Sequence, residues 1–189
     1  MVKRYFRSLI LVILIIVLSV MILKRVFPIK YTELIDNYCK EYGISKTLVL
    51  GIIKAESGFD ENAKSQVGAM GLMQLTEETA LWCGEKMGLS LTTEEIKKPE
   101  MNIRIGIWYL KYLIERTDSE EIAIISYNAG INKVNEWIDS GVIKEKLKFN
   151  DIPYDETRNY IKKVLLYKQI YSILYNINPW QAVCLMLTL

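Results

Sequence analysis

The sequence predicts a mainly α-helical protein in which one membrane-spanning helix precedes a single helical domain. Residues 8–23 form an uncharged, almost wholly apolar run. After that run, apolar residues recur at helical spacing, and capping residues stand at the expected helix starts and ends. The 189 residues are 51% hydrophobic, which suits one domain with a real core, and they show no long strand pattern and no internal repeat.

The N-terminal segment, residues 1–27, is predicted to be an uncleaved membrane anchor. A helix over residues 8–23 spans roughly 24 Å, and the flanking apolar residues extend it toward the ~30 Å of a bilayer core. A cleaved signal peptide is the alternative, and the basic start fits it, but no small-residue cleavage site follows. Basic residues flank both sides of the apolar run, so charge alone does not set its orientation.

Charge and composition argue against two classes of site. Five of the 24 basic residues lie within residues 1–26, which hold no acidic residue, so the rest of the chain has 19 basic against 22 acidic residues. This balance does not suit a nucleic-acid partner. The chain has no His, and Cys39, Cys83 and Cys184 lack ligand spacing, so no metal or other cofactor is expected. Whether Cys39 and Cys83 form a disulfide is left open.

The first helices after the anchor are predicted from apolar periodicity and from their end signals. Residues 32–42 form a helix that ends at Gly43, because glycine readily adopts the left-handed conformation of a helix end. Ser45 is expected to cap the next helix. Residues 58–75 are irregular and allow one short β-hairpin, after which Thr76 caps a further helix.

The second half of the domain is predicted by the same signals. Residues 90–98 are polar and are expected to form a loop. Pro99 opens a long, broadly apolar helix that should lie at the centre of the core, and Ser119 caps the helix after it. The long central helix is expected at 99–116, and the two last helices are expected at 132–139 and 156–177. An apolar C-terminal tail without an assigned role follows at 179–189. Asp155 is expected to cap the last helix.

One carboxylate, Glu56, stands out because of its position. Apolar residues at helical spacing precede it, at 48, 49, 52 and 53, so Glu56 falls at the edge of the apolar stripe. The helix should stop at Ser57-Gly58, which places Glu56 in a last turn rich in backbone carbonyls. Both features disfavour ionisation, and a carboxylic acid still protonated near neutral pH suits a general acid. The alternative is a solvated residue at a helix end.

A tight turn of small residues follows the Glu56 helix. Gly68-Ala-Met-Gly71 precedes Leu-Met-Gln-Leu at 72–75, and its glycines indicate a close approach of the backbone to another group. Gln74 offers a hydrogen-bond donor and an acceptor in one side chain. The segment therefore predicts a polar binding surface beside Glu56.

The segment AESGFDENAKSQVGAMGLMQL, which contains Glu56, resembles the catalytic core of lytic transglycosylases of the soluble-lytic-transglycosylase (SLT) type. Two later segments match the same family in the same order, SYNAG at 126–130 and IPYDETRNYIKKVL at 152–165. The resemblance covers about residues 31–175. It implies a lysozyme-like fold for a domain at 28–178 and cleavage of the glycan strands of bacterial peptidoglycan.

The resemblance also implies a mechanism that needs one carboxylate rather than the two of ordinary glycosidases. Glu56 would protonate the oxygen of the β-1,4 bond between N-acetylmuramic acid and N-acetylglucosamine. The same residue would then take the proton of the muramoyl C6 hydroxyl, which closes onto C1. The product would carry a 1,6-anhydromuramoyl end, and no water would be consumed.

Ser65 and Gln74 match polar positions that line the sugar site in the family, whereas Ser57 and Asn128 are also explained by the helix end and by the turn after Tyr127. Tyr127 matches a tyrosine that hydrogen-bonds the catalytic Glu, although core packing would be the first interpretation without the motif. Glu156 and Arg158 are expected to form a structural pair at the last helix. Trp137 and Tyr154 are more readily explained by core packing than by sugar stacking. The residues predicted to line the sugar site are Ser57, Ser65, Gln74, Tyr127 and Asn128.

Two other functions compete with the transglycosylase. A muramidase would admit water to the same intermediate, and goose-type lysozymes share the fold. A glycan-binding component of a secretion or conjugation apparatus would need no catalysis. The expected partners are glycan strands and the membrane, with cell-wall or secretion proteins as further candidates. Because this substrate lies outside the cytoplasmic membrane, the domain is expected to be extracytoplasmic, on a single-pass anchor.

Overall fold

A computed structural model describes residues 2–144 and 147–176 as a mainly α-helical chain, which confirms the predicted class. Within these residues no β-strand forms; isolated bridges pair Lys64 with Met70 and Met70 with Leu75 where a short hairpin was allowed. The predicted tail, 179–189, lies outside the described residues. The helices are α1 Val2–Val26, α2 Thr32–Tyr42, α3 Lys46–Glu56, α4 Glu77–Lys86, α5 Thr93–Lys97, α6 Pro99–Thr117, α7 Glu120–Ala129, α8 Ile131–Asp139 and α9 Asp155–Tyr171.

The chain divides into two compact units. One unit joins the N-terminal residues, up to Lys30, to the chain from Ile170 onward, and the other is Tyr31–Gln169. In the first unit, the Tyr171 hydroxyl donates to the Pro28 carbonyl at 3.1 Å, and the Phe27 and Tyr171 rings pack edge to face. Among the described helices, α1 is long and apolar enough to cross a membrane, over 22 residues. The bounds predicted for the domain, 28–178, stay a prediction.

Most of the predicted helix ends are confirmed. Gly43 has φ 70° and ends α2, the Thr76 hydroxyl accepts the Thr79 amide at 3.2 Å, and α6 begins at Pro99. Ser119 caps α7 through the amide of Ile122. Ser45 occupies the residue before α3, but the predicted cap is wrong because its hydroxyl lies against the Thr47 hydroxyl, 3.0 Å away.

Two other expectations about local structure are wrong. The polar stretch expected to be a loop contains α5, because Thr92 and Glu95 form a capping box: each side chain accepts the other residue's backbone amide, at 3.3 and 2.9 Å. Asp155 lies inside the first turn of α9 instead of capping it. The last helix also changes character at Tyr171 and continues as a π-helical turn over Ser172–Asn176.

The core of the Tyr31–Gln169 unit is built around α6 and α3. As predicted, α6 is central, since it packs against α2, α4, α5 and α7. Every residue of α3 from Thr47 to Ile53 is buried, as expected of a helix that is apolar on all sides. At Gly51 the backbone of α9 comes so close that a Cβ would lie 3.0 Å from the Val164 carbonyl oxygen. This glycine lets α9 lie directly on α3, and α3 ends at Glu56.

Candidate active site

The Glu56 carboxyl group lies at the C-terminal end of α3, mostly buried, at the floor of a cleft. Its pKa is raised from 4.5 to about 7, chiefly by burial and to a smaller extent by the nearby Glu156 charge. A hydrogen bond from Tyr160 and the charge of Lys163 act in the opposite direction. A carboxyl group with a pKa near 7 holds its proton for part of the time at neutral pH and is equally able to accept one.

The hydrogen bond to Glu56 comes from Tyr160, so the expectation that Tyr127 provides it is wrong. The Tyr160 hydroxyl donates to Oε1 of Glu56 at 2.6 Å, whereas the Tyr127 hydroxyl donates to the Met73 carbonyl at 2.9 Å. The reason is the close packing of α9 on α3 at Gly51, which brings a buried tyrosine to the end of α3. The sequence offered no local signal for this contact, because Tyr160 lies 104 residues from Glu56 along the chain.

The segment after α3 is folded back by its own polar side chains. The Ser57 hydroxyl donates to the Leu72 carbonyl at 2.8 Å and also lies 3.2 Å from the Ile53 carbonyl, so it ties the helix end to the Gly-Leu-Met-Gln segment. Gln74 has a left-handed backbone, with φ 47°, and its side-chain amide donates to the Gly71 carbonyl at 2.9 Å. Both residues therefore shape the loop beside Glu56.

Asn102, a fully buried polar residue of α6, holds the same loop from below. Its Oδ1 accepts the Met73 amide at 2.8 Å, and its Nδ2 donates to the carbonyls of Met70, at 3.0 Å, and Ile96, at 3.2 Å. A Cβ on Gly71 would lie 2.6 Å from that Nδ2, so only glycine fits there. The sequence pattern does not indicate this role for Asn102, because two of its three partners, Met70 and Met73, lie about 30 residues away along the chain.

Two clefts meet at Glu56. The first, here called the Glu56 cleft, has a volume of about 410 Å³ and contains four of the predicted binding residues, Ser65, Gln74, Tyr127 and Asn128. Ser57, the fifth, does not line this cleft. The second, here called the Lys163 cleft, has a volume of about 360 Å³ and also contains Asn128 and Glu156. Because Glu56 borders both clefts, an elongated ligand can pass the carboxyl group with one part on each side.

Glu156 is a second carboxylate at this site, and its predicted pairing with Arg158 is wrong. Arg158 instead contacts Asp155, at 2.8 Å, and donates to the Ile152 carbonyl, also at 2.8 Å. Glu156 lines both clefts. Its neighbour Thr157 donates to Oδ1 of Asn128 at 2.7 Å, which fixes α9 to the end of α7.

Trp137, Tyr154, Cys39 and Cys83 are not among the described residues that line the two clefts at Glu56. Trp137 is buried and packs edge to face on Tyr154, which is 49% exposed. Cys39 and Cys83 are buried free thiols, and burial raises the pKa of each to about 12. Cys184 lies outside the described residues.

Comparisons with known proteins agree with these motifs. The profile of the family described as "Transglycosylase SLT domain" matches residues 33–150, and that of "Soluble lytic transglycosylase helical domain" matches residues 151–179. The chain is 34% identical to the soluble lytic murein transglycosylase of Salmonella typhimurium over 154 residues, which are 79% of this chain and 24% of that protein. It is 32% identical to the membrane-bound lytic murein transglycosylase C of Haemophilus influenzae over 159 residues, 71% of this chain and 44% of that protein.

A solved structure gives the same result. The 70-kDa soluble lytic transglycosylase of Escherichia coli superposes with a TM-score of 0.73 at 30% identity, over 79% of this chain and 25% of that one. The chain thus spans about a quarter of the length of its soluble relatives. Family profiles over most of Tyr31–Gln169, together with these relatives and their lysozyme-like fold, lead to one conclusion: the chain belongs to the transglycosylase SLT domain family.

Proposed function

We propose that this protein is a membrane-anchored lytic transglycosylase that cleaves the β-1,4 bond between N-acetylmuramic acid and N-acetylglucosamine in peptidoglycan. The observation that carries the proposal is the Glu56 carboxyl group, mostly buried between two clefts and held by Tyr160 at 2.6 Å. The names of the family relatives, lytic murein transglycosylases, support peptidoglycan as the substrate.

Glu56 acts twice in the proposed reaction. Its proton goes to the glycosidic oxygen as the bond from that oxygen to the muramoyl C1 breaks, and Glu56 becomes a carboxylate. The C6 hydroxyl of the same sugar then bonds to C1 and returns its proton to Glu56. One C–O bond breaks and one forms, so no water is consumed, and the pKa of about 7 suits both half-reactions.

The surrounding side chains position the strand and the acid. Ser65, Gln74 and Asn128 present polar groups along the Glu56 cleft, and Tyr127 holds the backbone at Met73, next to Gln74. Tyr160 fixes the rotamer of Glu56 from the side of α9. In this proposal α1 anchors the domain in the membrane, which its length and apolar composition support, and the domain lies outside the cytoplasm because peptidoglycan does.

A hydrolytic muramidase is the second candidate, and Glu156 is the observation that favours it. Glu156 lines both clefts beside Glu56 and would serve as the base that activates a water molecule. A binding role without catalysis, in a secretion or conjugation apparatus, has no comparable support, since it would not require an acid with a raised pKa.

The test is the mass of the fragments that the full-length protein, in detergent micelles, releases from purified peptidoglycan. Transglycosylation gives 1,6-anhydro ends, which are lighter by one water molecule than the reducing ends from hydrolysis. We expect anhydro ends throughout. Reducing ends would instead support the muramidase, and an absence of fragments would support a binding role.

A further inference from the structure

The charged side chains described in the lining of the two clefts at Glu56 are two carboxyl groups and one lysine. The charged residues among the described lining of the Glu56 and Lys163 clefts are Glu56, Glu156 and Lys163. Lys163 is therefore the single cation in this described lining, facing two carboxyl groups. When Glu56 is ionised, Lys163 is the side chain of this described lining whose charge can offset it.

Lys163 is also tied to the backbone beside Glu56. Its Nζ donates to the carbonyl oxygen of Ala55 at 3.1 Å, and Ala55 directly precedes Glu56 in the last turn of α3. The last carbonyls of a helix have no partner within it, and a lysine that binds one of them stabilises the helix end. The hydrogen bond thus fixes both the ammonium group and the turn that carries Glu56.

Lys163 and Tyr160 lie on the face of α9 that contacts the end of α3. They are three residues apart, so they share a helix face, and both reach the end of α3: Tyr160 at the carboxyl group and Lys163 at the preceding carbonyl. The groups that face Glu56 are thus Tyr160, Lys163 and Glu156 on α9, together with Tyr127 on α7. Of these, Lys163 alone carries a positive charge.

We propose that Lys163 is a positioning residue that fixes the last turn of α3 and stabilises the carboxylate that Glu56 becomes after donating its proton. The inference rests on the proposed function for its catalytic meaning. In the first half-reaction the negative charge of Glu56 develops opposite the ammonium group, which favours proton release. Lys163 thereby offsets burial and Glu156, both of which hold the proton on Glu56.

The experiment compares three variants of the full chain in detergent micelles: Lys163→Gln, Lys163→Arg and, as the matched control, Lys162→Gln. Lys162 is the neighbouring exposed lysine of α9. The first readout is the titration of the Glu56 side-chain carbon by NMR, assigned by its absence in Glu56→Gln. The second is the pH dependence of kcat on purified glycan strands.

We expect Lys163→Gln to raise the NMR midpoint of Glu56 and to move the alkaline limb of kcat upward by roughly half a pH unit, a modest shift because the lysine is exposed to solvent. Lys163→Arg and Lys162→Gln should both titrate like the wild type. An unchanged midpoint in Lys163→Gln, or an equal shift in Lys162→Gln, would overturn the inference. Because the titration needs no turnover, it decides the role of Lys163 even if the wild type releases no fragments.

Discussion

The two sides of the segment 64–70 show what makes a cleft catalytic. Ser65, Val67 and Ala69 line the Glu56 cleft, whereas Lys64, Gly68 and Met70 line another cleft on the opposite side, here called the Glu61 cleft. The segment is a tight turn, in which Lys64 pairs with Met70 and the Gly68 amide donates to the Ser65 carbonyl at 3.1 Å. One short wall thus separates two clefts of nearly equal volume, about 410 and 390 Å³.

The two clefts differ in how far their carboxyl groups are buried. Glu61 and Glu77, which line the Glu61 cleft, are exposed, and each accepts a hydrogen bond from a nearby hydroxyl, of Tyr31 and Thr93 respectively. Glu56 is mostly buried, and its pKa rises to about 7. Volume and acidic residues are therefore common to both clefts, and desolvation of one carboxyl group is what distinguishes the candidate active site.

The largest expected effect comes from replacing one glutamate in each of the two clefts by glutamine. Glu56→Gln keeps size and hydrogen bonding but removes the titrating proton, so kcat on glycan strands should fall by at least about 10³-fold. Glu77→Gln, in the Glu61 cleft, should leave kcat unchanged. Thermal melts establish that both variants are folded. Equal losses in the two folded variants would remove the distinction between the clefts.

The wall between the clefts should depend on Asn102. Asn102→Ala removes three buried hydrogen bonds and leaves the Met73 amide without its partner, so the free energy of unfolding should fall by about 3 kcal/mol. Chemical denaturation measures this loss, and Asn62→Ala, an exposed residue that lines the Glu61 cleft, is the control. A loss below 1 kcal/mol for Asn102→Ala would show that the loop holds its shape without this residue.

The raised pKa of Glu56 also predicts a pH-dependent stability. The folded pKa of about 7 lies above the ordinary value of 4.5, so between these values the folded state binds more protons and stability falls as pH rises. Relative to Glu56→Gln, the wild type should lose about 3 kcal/mol between pH 4 and pH 8. Denaturation curves of both proteins across this range provide the measurement, and parallel curves would contradict the raised pKa.

The smallest effect separates the two tyrosines of the site. Tyr160→Phe removes the hydrogen bond that orients Glu56 and lowers its pKa, so kcat should fall about 10-fold and its alkaline limb should move to higher pH. Tyr127→Phe loses a bond to the Met73 carbonyl, which should lower stability by about 1 kcal/mol and leave the limb in place. If Tyr127→Phe instead moved the alkaline limb and Tyr160→Phe did not, Tyr127 would be the tyrosine that hydrogen-bonds Glu56, as the family motif predicts.

Residues with local causes were predictable from the sequence. Glu56 lies at the end of an apolar helix that is followed by Ser-Gly, so spacing predicted its position, and the family motif favoured a raised pKa over a solvated carboxylate. The Gly43 helix end and the Thr76 cap also depend on adjacent residues. The capping box of Thr92 and Glu95 also has a local signal, a threonine three residues before a glutamate, although the polar composition of the stretch predicts a loop.

Residues whose roles come from packing were not predictable. Tyr160 reaches Glu56 across 104 residues of sequence, and it does so only because Gly51 admits the backbone of α9. Asn102 likewise acts on a loop about 30 residues away. A motif match placed Tyr127 in the Glu56 cleft, as the structure has it, but could not tell which atom its hydroxyl contacts.

The central claim is that one carboxylate acts as both acid and base, and Glu156→Gln tests it most directly. Glu156 lines both clefts at Glu56 and is the side chain best placed to be a second catalytic carboxylate. The measurement is the rate and the mass of fragments released from purified peptidoglycan by Glu156→Gln and the wild type. A rate within about 10-fold of the wild type, with anhydro ends only, is the predicted result. Two results would contradict the single-carboxylate mechanism. One is a loss of rate in folded Glu156→Gln as large as that in Glu56→Gln. The other is the release of fragments with reducing ends by the wild type but not by Glu156→Gln.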